Sequence, residues 1–281
     1  MASLPPSLRN TLSYFDRYDY PLTLDEARFW QEKPGSFLLR PQDAKGETLF
    51  SRKGKYYFLP GRSHIVSLRQ QREQFSKTKW LIARRVGEQL KKFPFIIAIF
   101  VTGALAMNNC PKDDDIDLML VTYPNTLWIT RFFVNLYLWR LRRFPGQTTA
   151  PDKICPNLWL DSNRLRVTPW VASGAQGVTL SGRYLYLAHE ILQAKCIFDR
   201  GNMYHKFITQ NSWVKNYLPI AYKKTQRVTP FASSRAKGVS LSVFFWPLNI
   251  FFFLIQYLYM FPKMTSEKIA PGFAFFHPRS N

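Results

Sequence analysis

The chain is poor in the residues that build covalent or zinc-based scaffolds. Its 281 residues include three cysteines, Cys110, Cys155 and Cys196, an odd number with no CxxC pair. That usage excludes a disulfide framework and fits a reducing compartment. The four histidines, His64, His189, His205 and His277, lack the spacing of zinc ligands. Acidic residues are scarce as well: 18 Asp and Glu stand against 39 Lys and Arg, a formal net charge of +21. A field of that sign favours polyanions, whether nucleic acid, nucleotides or acidic lipid, and it equally fits a generally basic surface. The opening Met-Ala-Ser-Leu-Pro-Pro lacks a basic stretch followed by an apolar one. No secretory signal is therefore expected, and the chain is expected in the cytoplasm. No internal repeat or low-complexity segment stands out. What is abundant is apolar: 46% hydrophobic content excludes wholesale disorder, and the length allows two or more modules.

In residues 1–62, Leu8, Leu12 and Phe15 follow helical spacing, predicting a helix over residues 7–18. Thr23-Leu24-Asp25-Glu26 matches a capping box, with Thr23 as N-cap and Glu26 three residues on. A second helix is predicted from there to Pro34-Gly35. Residues 48–59 carry two β-prone runs around Gly54 and read as a hairpin tipped by Arg52, Lys53 and Lys55. Helices followed by such a hairpin resemble a winged-helix domain, although its third helix is poorly marked. The basic tip could touch phosphates, or the unit could be a small packing module with a solvated turn. A long amphipathic helix follows over residues 64–93, with Phe75, Ile82, Val86, Leu90 and Phe93 near one face and Lys and Arg elsewhere.

The most informative stretch is Phe100 to Val121. Residues 95–101 are almost entirely apolar and read as a strand buried on both faces. Thr102-Gly103-Ala104 then turns into a short helix-like piece. Glycine there lets backbone N–H groups approach an anion, and a helix start favours phosphate. Four aspartates, Asp113, Asp114, Asp115 and Asp117, lead into a second apolar strand. Acids at the head of a buried strand are costly unless paired or bound to a cation. In a strand, residues i and i+2 share a face. Asp115 and Asp117 therefore present two carboxylates side by side, a pair suited to a hard divalent ion.

A strand, a Gly-[Gly/Ser] turn, about ten residues and Asp-x-Asp on the next strand together resemble the DNA polymerase β-like nucleotidyltransferase superfamily. The resemblance rests on Gly103, Ala104, Asp115 and Asp117 and covers roughly residues 75–165. It implies that Thr102, Gly103 and Ala104 hold the phosphates of a nucleoside triphosphate. It implies that Asp115 and Asp117 hold magnesium, or manganese, for attack on the α-phosphate. Ala104 departs from the pattern by lacking a hydroxyl. The superfamily often has a third carboxylate on a later strand. Residues 153–161 read as that strand, with Pro156 marking an edge or a bulge. Simple alternation puts Cys155, Asn157, Trp159 and Asp161 on one face. The best-centred position then holds Asn157, an amide, with Asp161 at the strand's end.

Residues 125–144 read as a helix apolar almost all round, so buried or set against a membrane. Its closing Arg140, Arg142 and Arg143 complement a helix C-terminus. Helices are predicted over 183–195 and 202–217, with His189 packed and hydrogen-bonded inside the first. Residues 221–238 are basic without an acid, a linker or a polyanion contact. Residues 239–261 carry no charge and are flanked by Lys237 and Lys263. That length can span a bilayer, but Pro247, Asn249 and Gln256 interrupt it. A buried core helix and an interfacial or spanning anchor both fit.

The expected architecture is α/β (α+β): a nucleotidyltransferase-like mixed sheet over 63–165, a winged-helix-like domain over 1–62 and a helical region over 166–281. The expected activity is transfer of a nucleoside monophosphate to an unidentified acceptor, RNA or an acidic small molecule. The alternative is a catalytically silent protein of the same fold that binds nucleic acid or the membrane surface. The tail around Phe275 and Phe276 has no assignment.

Overall fold

The computed structural model describes residues 6–32, 50–144, 147, 149–168, 180–227, 244–264 and 267–276. Among the described residues it is a mixed α/β protein with two sheets. The N-terminal unit holds α1 (Pro6–Asp16), β1 (Leu22–Thr23), α2 (Leu24–Phe29), β2 (Ser51–Lys53) and β3 (Tyr56–Phe58). The predicted capping box forms: Glu26 N–H donates to Thr23 Oγ1, and Thr23 N–H donates to the Glu26 carboxylate. The hairpin forms too, turning at Gly54 with φ +59°, and β1 adds a third strand in the order β1-β3-β2. The segment where a third helix would fall lies outside the described residues.

Helix α3 (Ile65–Leu90) leaves this unit for the main sheet. Arg69, buried on α3, makes a bidentate pair with Glu26 at 2.8 Å on each arm and lies 4.1 Å from the Tyr20 ring centroid. The capping glutamate therefore also anchors the long helix.

The main sheet contains β4 (Ile96–Val101), β5 (Ile116–Thr122), β6 (Ile154–Asp161), β7 (Lys195–Asp199), β8 (Lys268–Ala270) and β9 (Phe273–Phe275). Its order is β7-β4-β5-β6-β9-β8, with β5 and β6 parallel and the other neighbours antiparallel. Every residue of β4 is buried, as its unbroken apolar run predicts. Both faces are covered. Ile97, Phe100, Met119, Val121 and Leu160 pack with α1, α2, α6 (Leu180–Gln193), α7 (Met203–Gln210) and α8 (Pro219–Thr225). Ile99, Leu118, Leu120 and Trp159 pack on the other side with α3 and α5 (Leu127–Tyr137), where α9 (Trp246–Met260) adds partly buried Phe252 and Phe253.

Several expectations change. The region expected to be helical contributes β7, β8 and β9 to the sheet, and β9 accounts for Phe275. The segment 202–217 splits into α7 and a 3-10 turn, Ser212–Asn216, and Pro219 opens α8. Helix α5 ends at Tyr137, so Arg140, Arg142 and Arg143 follow it rather than form its last turn. The described part of the uncharged segment is α9, and no described helix is long and apolar enough to cross a membrane.

Candidate active site

The turn between β4 and β5 begins at Thr102, whose N–H donates to Asp117 O at 3.1 Å. Gly103 then adopts φ +62°, the left-handed region that side chains disfavour. A Cβ at position 103 would lie 2.5 Å from Asp117 Oδ2. Only glycine lets the turn and this carboxylate lie so close. The following helix, α4 (Gly103–Ala106), has four residues, so the turn's backbone rather than a long helix dipole sets its character.

Asp115 and Asp117 share a face, as alternation predicts. One carboxylate oxygen from each lies within 4.8 Å of the other and of Cys155 Sγ. The third member is thus a thiol and not an acid. Register explains why. Asp117 pairs with Cys155, but Met119 pairs with Leu158, so two residues of β5 answer three of β6. The bulge falls at Pro156–Asn157 and shifts the alternation by one. Trp159 accordingly packs on the opposite face from Leu158 and Leu160. Asp161 does not join the site. Its carboxylate accepts from the N–H groups of Asn125 and Asn163, each at 2.9 Å, and secures a loop at the far end of β6.

Asn157 does reach the pair. Its Nδ2 donates to Asp117 Oδ1 at 2.6 Å, and its Oδ1 is buried with no partner among the described residues. Thr102 Oγ1 is buried and unpartnered in the same way. Asp115 is held by Arg143, Nη1 to Oδ2 at 3.0 Å. Burial pushes the Asp117 carboxyl well above the usual carboxylate range, and the charges of Asp115, Asp114 and Glu190 add to this against Arg143. Burial also raises the Cys155 thiol, with Asp117 and Asp115 contributing. A protonated thiol is a poor partner for a hard cation.

Thr102, Gly103, Ala104, Asp117 and Asn157 line one cavity of about 330 Å³. This is within the range of small-ligand sites. The N-terminal unit roofs it with Tyr14, Phe15, Tyr18 and Tyr20, and α6 walls it with Tyr186, Glu190 and Gln193. Roof and floor are tied together: Asn109 Nδ2, just after α4, donates to Tyr18 O at 2.9 Å. His189 is packed as expected, its ring 3.8 Å from the Tyr14 ring centroid. It is not hydrogen-bonded: neither ring nitrogen has a partner among the described residues, and burial lowers its pKa to about 3. The next residue, Glu190, lies beside Tyr186 in the wall of the cavity, and burial raises it to about 7.

The donors fit one hard divalent ion. Magnesium and manganese commonly take one or two carboxylates and complete their shell with water and substrate phosphate. Asp115 and Asp117 would supply those carboxylates, and Asn157 Oδ1 is a neutral oxygen without a partner among the described residues. The lone pairs crowded at Asp117 are of the kind a cation relieves.

Three residues were missed by sequence reasoning. Arg143 had been assigned to a helix dipole. Glu190 was passed over beside His189. Lys79, one of the basic residues that the helical reading sets away from the apolar face, is 1% exposed. Its Nζ donates to Asp114 O at 2.6 Å and Lys112 O at 3.2 Å and pairs with Asp152 at 3.0 Å, fixing the loop that delivers Asp115. Its signal was available: Lys79 falls four residues after Phe75 and three before Ile82, on the apolar stripe itself. Compared with models of known protein families, with curated proteins and with solved structures, the chain matches none.

Proposed function

We propose that the chain is a metal-dependent nucleotidyltransferase, with a nucleotidyltransferase-like sheet preceded by a winged-helix-like unit. The substrate is a nucleoside triphosphate. Attack by an acceptor hydroxyl or phosphate on the α-phosphate forms the new P–O bond and releases pyrophosphate. The single observation that carries this reading is the contact of Gly103 with Asp117, which brings a phosphate-type turn against one acid of the pair at the cavity both residues line. The winged-helix reading is supported by the capped α2 and by the β1-β3-β2 sheet.

Magnesium or manganese, held by Asp115 and Asp117, would neutralise charge developing on the α-phosphate. The chain's own groups do the rest. The Gly103 turn admits the phosphates, and the unpartnered Thr102 hydroxyl offers the donor that Ala104 lacks. Asn157 orients Asp117, while Arg143 orients Asp115. The tyrosines of the roof exclude water and offer rings for a base to stack on, with Glu190 and Gln193 facing the same space. The acceptor is RNA or an acidic small molecule, in keeping with the net charge of +21.

The test incubates labelled nucleoside triphosphates and candidate acceptors with magnesium or manganese. Wild type should release pyrophosphate, and the Asp115→Asn/Asp117→Asn protein should lose at least a hundredfold of that rate. Equal rates from both proteins would end the proposal. A second reading, a nucleotide or nucleic-acid binder without turnover, is favoured by Asn157 standing where an acid is wanted and by the remoteness of Asp161. Metal-dependent nucleotide binding without pyrophosphate release would select it.

A further inference from the structure

Helix α9 is built inside out. Its two buried residues are polar: Asn249 is 1% exposed and Gln256 is 8% exposed. Both face α5. Asn249 Oδ1 accepts from Trp128 N–H at 2.8 Å, and Gln256 Nε2 donates to Trp128 O at 2.8 Å. Phe252 and Phe253 are partly buried against the core, and a run of apolar side chains points the other way, with Phe251 56% and Leu258 71% exposed, joined by Trp246, Leu254 and Tyr259. Helix α5 and its following turn extend this face with exposed Phe133, Leu136, Tyr137 and Trp139. A contiguous exposed apolar face of this kind marks an interaction site.

Charge and length narrow the occupant. Residues 125–143 and 244–264 contain no acidic residue. The rim is mostly basic. Arg140 and Lys268 are exposed, and Lys92 and Lys91, the latter paired with Glu88, precede Phe93 and Phe95, whose rings meet Tyr137 and Phe245. The 15 residues of α9 extend about 22 Å at 1.5 Å per residue, short of the roughly 30 Å hydrocarbon core. Exposed Trp and Tyr suit the headgroup region. We infer that the α5–α9 face docks in the plane of an anionic lipid bilayer, α9 lying in the interface with its polar side chains turned into the protein. Basic residues at the rim meet the lipid headgroups. This surface stands apart from the cavity, so the inference does not depend on the proposed activity.

Full-length protein is mixed with vesicles of phosphatidylcholine alone or with phosphatidylglycerol, and flotation is measured. Binding should appear with the anionic vesicles and weaken as salt is raised. Leu254→Glu/Leu258→Glu should lower the partition coefficient at least tenfold. Both side chains point outward, so circular dichroism and the melting temperature should be unchanged, which separates lost docking from lost folding. No flotation of wild type on anionic vesicles would overturn the inference. So would wild-type flotation that the double variant retains. A concentration-dependent dimer abolished by the double variant, without vesicle binding, would instead assign the face to a second copy.

Discussion

One methyl group at position 103 would test the site at its tightest point. Alanine there must hold a φ of +62° and place Cβ 2.5 Å from Asp117 Oδ2. The backbone strain alone costs about 1–2 kcal/mol, and the clash moves either the turn or the carboxylate. Gly103→Ala should lower the melting temperature by several degrees and weaken manganese binding at least tenfold, read by calorimetric titration. Unchanged manganese affinity would show that Asp117 is not held where the cation needs it. The other site residues differ in what they contribute. Arg143 and Lys79 bring no ligand atom to the pair: one holds an Asp115 oxygen, and the other ties down the carbonyls that lead to it. Burying a lysine is tolerable here because its ammonium has three oxygen partners.

Within α6, neighbouring residues titrate with opposite consequences for stability. Glu190 is raised from 4.5 to about 7. Its contribution is fully present below pH 4.5 and is lost as pH rises through about 7. His189 is lowered from 6.5 to about 3. Its contribution is present above pH 6.5 and is lost as pH falls through about 3. Between pH 4.5 and 6.5 the two oppose each other. In urea unfolding, Glu190→Gln should make stability rise more steeply with pH across that window, and His189→Phe should make it fall. Asp117, also raised, acts in the direction of Glu190 and is common to both proteins. Parallel pH profiles for the two variants would contradict these assignments.

At the level of elements, local signals were legible: the capping box, the Gly54 hairpin, the apolar run of β4, and the Gly103 turn with its two acids. Features created by pairing between distant segments were not. Strand β9 has three residues and exists because Leu158 pairs with Phe275 and Leu160 with Phe273. The bulge at Pro156–Asn157 was hinted at by the proline, but its effect on facing depends on the register against β5. That effect is why Asp161 was placed beside Cys155 when it belongs elsewhere. Residues 239–261 read as an uncharged run interrupted by Pro247, Asn249 and Gln256, and only the packing of α9 on Trp128 reveals that Asn249 and Gln256 are its inner face.

On the scale of the whole molecule, the N-terminal unit and the C-terminal helices share one core. Leu12, Phe15 and Trp30 belong to the same packed cluster as Leu187, Ile191 and Ala221. Chains so joined unfold together. Scanning calorimetry should therefore give one transition, and a chain beginning at residue 63 should bind a hydrophobic dye that the full chain does not. Two separate transitions would show that the N-terminal unit stands alone. The roof of tyrosines has a thermodynamic corollary. A ligand in the cavity touches residues from both ends of the chain, from Tyr14 to Phe275. Occupancy at one hundred times the dissociation constant adds about 2.7 kcal/mol to the folded state. Because the roof is part of the core, that gain reaches the first helix as well as the strands that carry the acids. The N-terminus is then a remote gauge of saturation: slowed amide exchange in α1 would report how full the cavity is.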